Sequence, residues 1–186
     1  MSNMTYYAYT HSTTAKMLVD CAKEQEGENS ERYTEWYGIA ATQPWCAVFV
    51  SWCAQKCGLI EKGVLPRFAS CTEGFAEWFK PKGLFRTREM YEPKCGDLIF
   101  FNWNGKKWGT PWDEPCGEAE YDKDAYTAQN NCYHVGIVEK VEDGKVYTIE
   151  GNSGSAPNDQ TVVERRSYDL QYDCIRGYCI PNYYEY

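Results

Sequence analysis

The chain is organised around residues 43–58, Gln43-Pro44-Trp45-Cys46-Ala47-Val48-Phe49-Val50-Ser51-Trp52-Cys53-Ala54-Gln55-Lys56-Cys57-Gly58. A proline ahead of the apolar run and a glycine behind it give a helix a defined start and stop. The run is apolar on nearly every side, so this helix is expected at the centre of the molecule rather than on its surface. At about 100° per residue, Cys46, Phe49, Val50, Cys53 and Cys57 share one face. The three cysteines differ in their place along the axis. Cys46 falls in the first turn, where free amide N–H groups and the positive end of the dipole favour a thiolate. Cys53 lies mid-helix, and Cys57 sits at the negative end, which disfavours the anion. Cysteine is commonly buried as plain core, so Cys46 needs a partner base before its position means chemistry.

Working outward, Thr13 to Lys23 carries Ala15, Leu18, Val19 and Ala22 at helical spacing, a first helix ended near Gly27. The polar stretch Glu28 to Gly38, with Tyr33, Trp36 and Tyr37, leads into the cysteine helix. Ser70-Cys71-Thr72-Glu73 is a capping-box pattern that opens a third helix carrying Phe75, Trp78 and Phe79, stopped by Pro81 and Gly83. Beyond it the period becomes strand-like, with short strands expected at Leu84–Arg88 and Asp97–Phe101. Val135–Val141 and Lys145–Glu150 flank Glu142-Asp143-Gly144, a hairpin signal. Thr161–Arg166 and Ile175–Ile180 complete the set. Helices first and antiparallel strands after them define an α+β fold in one domain, residues 1–186. Residues 102–131, rich in Gly, Pro, Asp and Glu, have no clear period and read as a long insertion.

Composition sets the outer bounds. At 186 residues, 43% hydrophobic and 25% charged, the chain is globular and large enough to bury a core. A net charge of −8 argues against a nucleic-acid partner and gives no attraction to an anionic membrane surface. No segment approaches the roughly 18 apolar residues that span a membrane. Met1 to His11 lacks a basic stretch followed by an apolar one, so the chain is expected to be made in a cytoplasm without a signal peptide. Its ten cysteines are then mostly reduced thiols. With no Cys-x-x-Cys pair and two histidines, a structural zinc site has little support. Cys116 and Cys132 bracket the loop-like segment and are the pair expected to join in an oxidising medium.

The partner base has two candidates. His11 lies in a polar tail, where solvation is the expected fate, whereas His134 opens the strand His134-Val135-Gly136-Ile137-Val138. Alternation places His134, Gly136 and Val138 on one face, and the glycine leaves room for another group to approach. The second hairpin strand ends Ile149-Glu150-Gly151-Asn152-Ser153. Pairing about Asp143-Gly144 brings Glu150 near His134 only with a slip or bulge, because the two arms differ in length. A carboxylate on one imidazole nitrogen would fix the tautomer and leave the other facing the thiol, and the Asn152 amide oxygen could do the same.

These residues carry a resemblance. Pro44 to Ala54, Cys95-Gly96-Asp97-Leu98-Ile99-Phe100-Phe101, His134 to Val138 and Ile149 to Ser153 together resemble the CHAP family of cysteine peptidases and amidases, and Arg176-Gly177-Tyr178 looks like the family's last strand. The likeness runs from about Ala15 to Tyr178. It implies a papain-like (CHAP) fold, N-terminal helices packed on an antiparallel sheet, as in phage endolysin catalytic domains. It implies cleavage of amide bonds in the peptide part of bacterial peptidoglycan, with Cys46 as nucleophile, His134 as base, Glu150 as orienter and Asn152 as further polar support. The enzyme would act at the cell wall after release, targeted by its own long loop or by a separate wall-binding chain or domain.

Two features depart from the family. The family often joins the Gly-Asp strand to the histidine by a short acidic loop, where this chain has 102–131. Some members carry spaced aspartates before the nucleophile for calcium, and Glu35 to Trp45 contains none, so neither a metal nor a cofactor is expected. The competing readings are a papain-like protease or small-molecule amidase on soluble substrates, and a non-catalytic wall-binding module.

Overall fold

The computed structural model describes residues 2–102 and 132–183. Apart from Asn102, the expected insertion at 102–131 lies outside the described residues, as does Cys116. Among the described residues, four helices pack on a six-stranded antiparallel sheet. The helices are α1 (Ser2–Lys23), α2 (Glu31–Tyr37), α3 (Cys46–Lys56) and α4 (Cys71–Glu73), the last widening into a π-helical turn at Gly74–Phe79. The strands are β1 (Phe85–Arg86), β2 (Leu98–Phe101), β3 (His134–Glu142), β4 (Lys145–Ser153), β5 (Val162–Asp169) and β6 (Ile175–Cys179). They lie in the order β1-β6-β2-β3-β4-β5.

Most elements stand where the pattern put them, with three differences. Helix α1 begins at Ser2 rather than near Thr13, so His11 belongs to helical backbone and not to a tail. Helix α2 occupies the stretch read only as polar, and Tyr33 and Thr34 are its buried residues. The disulfide expectation is also revised. Cys132 is a free thiol, and the disulfide-bonded cysteine among the described residues is Cys174.

Helix α3 is central, as its all-round apolarity requires: every residue from Cys46 to Ala54 is buried. Its resting place on the sheet is Gly151 of β4, where a Cβ would lie 2.5 Å from Phe49 Cβ and 2.7 Å from Trp45 Cζ3. Only a residue without a side chain lets the helix approach the strand this closely. The core on this side joins Phe49 and Val50 to Leu98, Phe100, Val135, Ile137 and Ile149. A second cluster on the other side of the sheet holds Ile99, Phe101, Val138, Val146 and Tyr178. The alternation along β2 and β3 is thus the strict period of two expected for a sheet buried on both faces.

Two ties fix α3 against its neighbours. Ser51 Oγ donates to the Phe68 carbonyl at 2.8 Å and accepts from the Phe68 amide at 2.9 Å, anchoring the segment that leads into α4. Trp45, the residue before the helix, stacks on Tyr33 at 5.3 Å and donates from Nε1 to the Asn158 carbonyl at 2.9 Å. Ser70 caps α4 by accepting from the Glu73 amide at 3.3 Å, as the sequence pattern predicted.

Candidate active site

The site forms where the start of α3 meets the start of β3. Cys46 is the first residue of its helix and His134 the first of its strand. The two side chains act on each other's protonation, and the Val135 backbone acts on Cys46 as well. Imidazole Nε2 meets Glu150 Oε2 at 2.7 Å, with both side chains fully buried. A thiol, an imidazole and a carboxylate therefore stand in one line, drawn from three elements.

How Glu150 reaches His134 is a matter of register. Near the hairpin tip Glu142 pairs with Lys145 and Lys140 with Tyr147, but closer to the site Val138 pairs with Thr148 and Ile137 with Ile149. The shift is a bulge at Glu139. Without it, Glu150 would sit opposite Ile137 and point to the sheet face away from His134. With it, Glu150 lies across from Gly136, on the histidine's own face. Gly136 then supplies the space, since a Cβ there would come within 2.7 Å of Glu150 Cγ. The bulge is pinned from outside: Glu139 Oε2 accepts from Arg165 Nε at 3.0 Å, and Oε1 lies 3.2 Å from Lys23 Nζ at the end of α1.

Burying a carboxylate is costly unless its oxygens are satisfied. Both are. Thr148 Oγ1 donates to Oε1 at 2.5 Å, and Tyr168 Oη donates to Oε2 at 3.1 Å. Tyr168 in turn packs on Phe101 at 4.8 Å, and Phe101 lies 5.8 Å from the imidazole. Neither Thr148 nor Tyr168 was singled out from the sequence. Thr148 was within reach of the alternation rule, being two residues from Glu150 on the same strand face. Tyr168 sits on β5 with no local signal.

Asn152 takes a different place from the one open to it on paper. Its amide oxygen accepts from Thr161 Oγ1 at 2.7 Å, and Thr161 also receives Trp45 Nε1 at 3.2 Å. The imidazole is met by the carboxylate, while the amide joins the network behind Trp45, one residue ahead of the nucleophile candidate. Asn152 adopts φ 56, a left-handed conformation that asparagine tolerates better than most residues. Tyr33, stacked on Trp45, is buried and its hydroxyl donates to Gln25 Oε1 at 3.3 Å.

A fourth participant is Cys71, whose sulfur lies 3.5 Å from that of Cys46. Nothing in the sequence pointed to it beyond its place at a helix start. Its thiol hydrogen bond is the largest influence pulling Cys46 well below the ordinary thiol range; burial opposes this and the His134 charge assists it. Cys71 is itself pushed well up by the same contact and by burial. For His134, burial pushes the imidazole down, but the Cys46 charge and hydrogen bond, with Glu150 behind, outweigh it and raise the value to about 10. Both shifts favour a thiolate beside an imidazolium.

Helix position alone was expected to lower Cys46 and not Cys53 or Cys57, and burial does push Cys53 up. Cys57 is raised chiefly by its contact with Cys21. Cys21 is a low thiol that the sequence did not flag, brought down to about 4 by hydrogen bonds from Cys53 and Cys57, yet no imidazole acts on it. Among the described residues, no three His, Cys, Asp or Glu side chains are grouped to hold a metal ion. No helix among them is long and apolar enough to cross a membrane.

A buried cysteine, histidine and glutamate are thus gathered where the central helix meets the antiparallel sheet. Residues 38–152 match the CHAP domain, and the chain belongs to the CHAP domain family. No curated protein matches it. Two solved structures are similar at 15% identity and a TM-score of 0.48, one of Ly7917 and one of Ly7917 with the hydrolyzing product of MDP. Each match covers 90% of this chain and 62% of that one, so the chain spans less than two thirds of their length.

Proposed function

We propose that this protein hydrolyses amide bonds in the peptide part of bacterial peptidoglycan, as an N-acetylmuramoyl-L-alanine amidase or an endopeptidase. The observation that carries the reading is the 2.7 Å contact of a fully buried glutamate with the histidine that faces a helix-start thiol. In this mechanism the Cys46 thiolate attacks the amide carbonyl and a tetrahedral oxyanion forms. The backbone N–H of Cys46, at the open end of α3, stabilises that charge. His134 gives its proton to the leaving amine and then takes one from water, which hydrolyses the thioester. Glu150 holds the imidazole in one orientation throughout, and Asn152 supports the site through Trp45.

The substrate class rests on family membership and on the chemistry. A thiolate with an imidazole suits acyl transfer, whereas cutting a glycan ordinarily takes two carboxylates flanking the acetal. The motif resemblance further supports a single catalytic domain of the phage endolysin type, made in a cytoplasm and acting at the wall after release. Digestion of purified walls tests this. New amino groups without new reducing sugar ends are expected, with free stem peptides in the amidase case and opened cross-links in the endopeptidase case. New reducing ends from a clean preparation would refute the assignment. Hydrolysis of casein without any attack on walls would move the enzyme to the soluble-substrate class.

A further inference from the structure

The structure leaves one nucleophilic group beside the site that the mechanism does not consume. Cys71 is 6% exposed and its sulfur lies 3.5 Å from Cys46. Each cysteine is the first residue of a helix, α3 and α4. Their spacing is no accident of loose side chains, because the backbone on both sides is tied down. Ser51 binds both backbone groups of Phe68, three residues before Cys71. Gly74, three residues after it, is so close to Phe68 that a Cβ would lie 2.4 Å from the ring. Thr72 Oγ1 donates to the Cys132 carbonyl and accepts from the Cys132 amide, each at 3.3 Å, binding the start of α4 to the chain that enters β3. Two thiols held in contact this way need about 1.5 Å of approach to reach disulfide bonding distance, within the reach of a side-chain rotation.

We propose that Cys46 and Cys71 form a redox pair, a reversible disulfide that protects the nucleophile and holds the enzyme inactive under peroxide. The proposal rests on the reading of Cys46 as nucleophile. Peroxide is a fitting oxidant because it is small enough to reach a residue that is only 2% exposed. The Cys46 thiolate attacks one peroxide oxygen and the O–O bond breaks. The departing hydroxide takes the His134 proton and leaves as water, giving a sulfenic acid. The Cys71 sulfur then attacks the Cys46 sulfur, the S–O bond breaks, and the hydroxyl leaves as a second water with the Cys71 proton. In sum two thiols are oxidised to one disulfide and one peroxide is reduced to two waters. A thiol reductant reverses it. Without Cys71 the sulfenic acid has no adjacent thiol and climbs to sulfinic acid, which a thiol does not restore.

The test exposes the full chain to hydrogen peroxide, then to dithiothreitol. Trypsin cuts after Lys56, Lys62 and Arg67, so Cys46 and Cys71 fall on separate peptides. Mass spectrometry without reduction should find them linked, with fragmentation assigning the bond to Cys46 rather than Cys53. Activity should fall with the linked fraction and return on reduction. Cys71→Ser should lose activity irreversibly and carry sulfinic acid at Cys46. Oxidation of wild type that stops at Cys46 without linkage, or equal recovery in wild type and variant, would overturn the pair. The linkage readout needs no catalysis, so it stands even if Cys71→Ser fails to fold. A linked protein with undiminished activity would support the pair and refute Cys46 as nucleophile, which separates the two ideas.

Discussion

Consider the substitution Gly136→Ala. The added Cβ would stand 2.7 Å from Glu150 Cγ and 3.4 Å from Cδ and Oε1. Carbon pairs rest at about 3.5–4.0 Å, so something must give by about 1 Å. Glu150 has nowhere neutral to retreat. Its Oε1 is held by Thr148 at 2.5 Å, and its Oε2 by Tyr168 at 3.1 Å and His134 at 2.7 Å. The displacement therefore falls on the contact that orients the imidazole. A misplacement of about 1 Å in a catalytic array costs on the order of 100-fold in rate. Overpacking costs about 1–3 kcal/mol of stability, offset by the roughly 0.5–1 kcal/mol gained when a strand glycine becomes alanine. We expect kcat on wall peptides to fall about 100-fold with KM changed little, while urea unfolding shows a loss of about 1–2 kcal/mol. A folded variant with kcat within about twofold of wild type would refute the claim that Gly136 exists to admit the carboxylate.

Other expectations follow from the same geometry. Because Cys46 is held low and His134 is raised to about 10, the ion pair exists across neutral pH and is lost as pH rises through about 10; kcat/KM should be flat near neutrality and fall there, and a decline centred near 6.5 would contradict the pairing. Cys71→Ala removes the largest influence lowering Cys46, so the acid limb of that profile should move to higher pH, and an unmoved limb would deny Cys71 its positioning role. Tyr168→Phe takes one donor from a buried carboxylate and should cost about 1.5–3 kcal/mol of stability and lower kcat more than it alters KM; unchanged unfolding would show that the hydroxyl is idle. Limited iodoacetamide should abolish activity in step with alkylation of Cys46, while Cys21→Ser stays fully active although Cys21 also labels; inactivation that tracks Cys21 instead would overturn the choice of thiol.

The sequence made the candidate nucleophile, base and orienter legible because Cys46 and His134 each open an element with a strong local signal and Glu150 lies on the partner strand of a marked hairpin. Pro44 and Gly58 bound the helix, Asp143-Gly144 marks the hairpin, and Gly136 announces a close neighbour. Even the need for a bulge came from unequal arm lengths. Its position did not, because Glu139 is fixed by Arg165 and Lys23, partners distant in the chain. Cys71 and Tyr168 were invisible for the same reason. Their contacts arise only once α4 and β5 have packed, and neither lies in a pattern that periodicity can single out. Helix α2 was missed because seven polar-rich residues carry too little apolar repeat, and its burial comes from Tyr33 stacking on Trp45.

The bulge at Glu139 separates the hairpin into two stretches with different tolerances. On the site side, β3 is also registered against β2 through Leu98–Ile137 and Phe101–His134, and β4 against β5 through Glu150–Glu164. β4 runs on to the tip in one register with β5, through Lys145–Asp169 and Val146–Tyr168, but the turn at Asp143-Gly144 is itself exposed and carries no group of the site. New chain termini, a reporter peptide or a fused domain can therefore be placed at Asp143-Gly144 with the catalytic alignment preserved. Removing the single residue Glu139, by contrast, would invert a strand and silence the enzyme without touching any group that meets substrate.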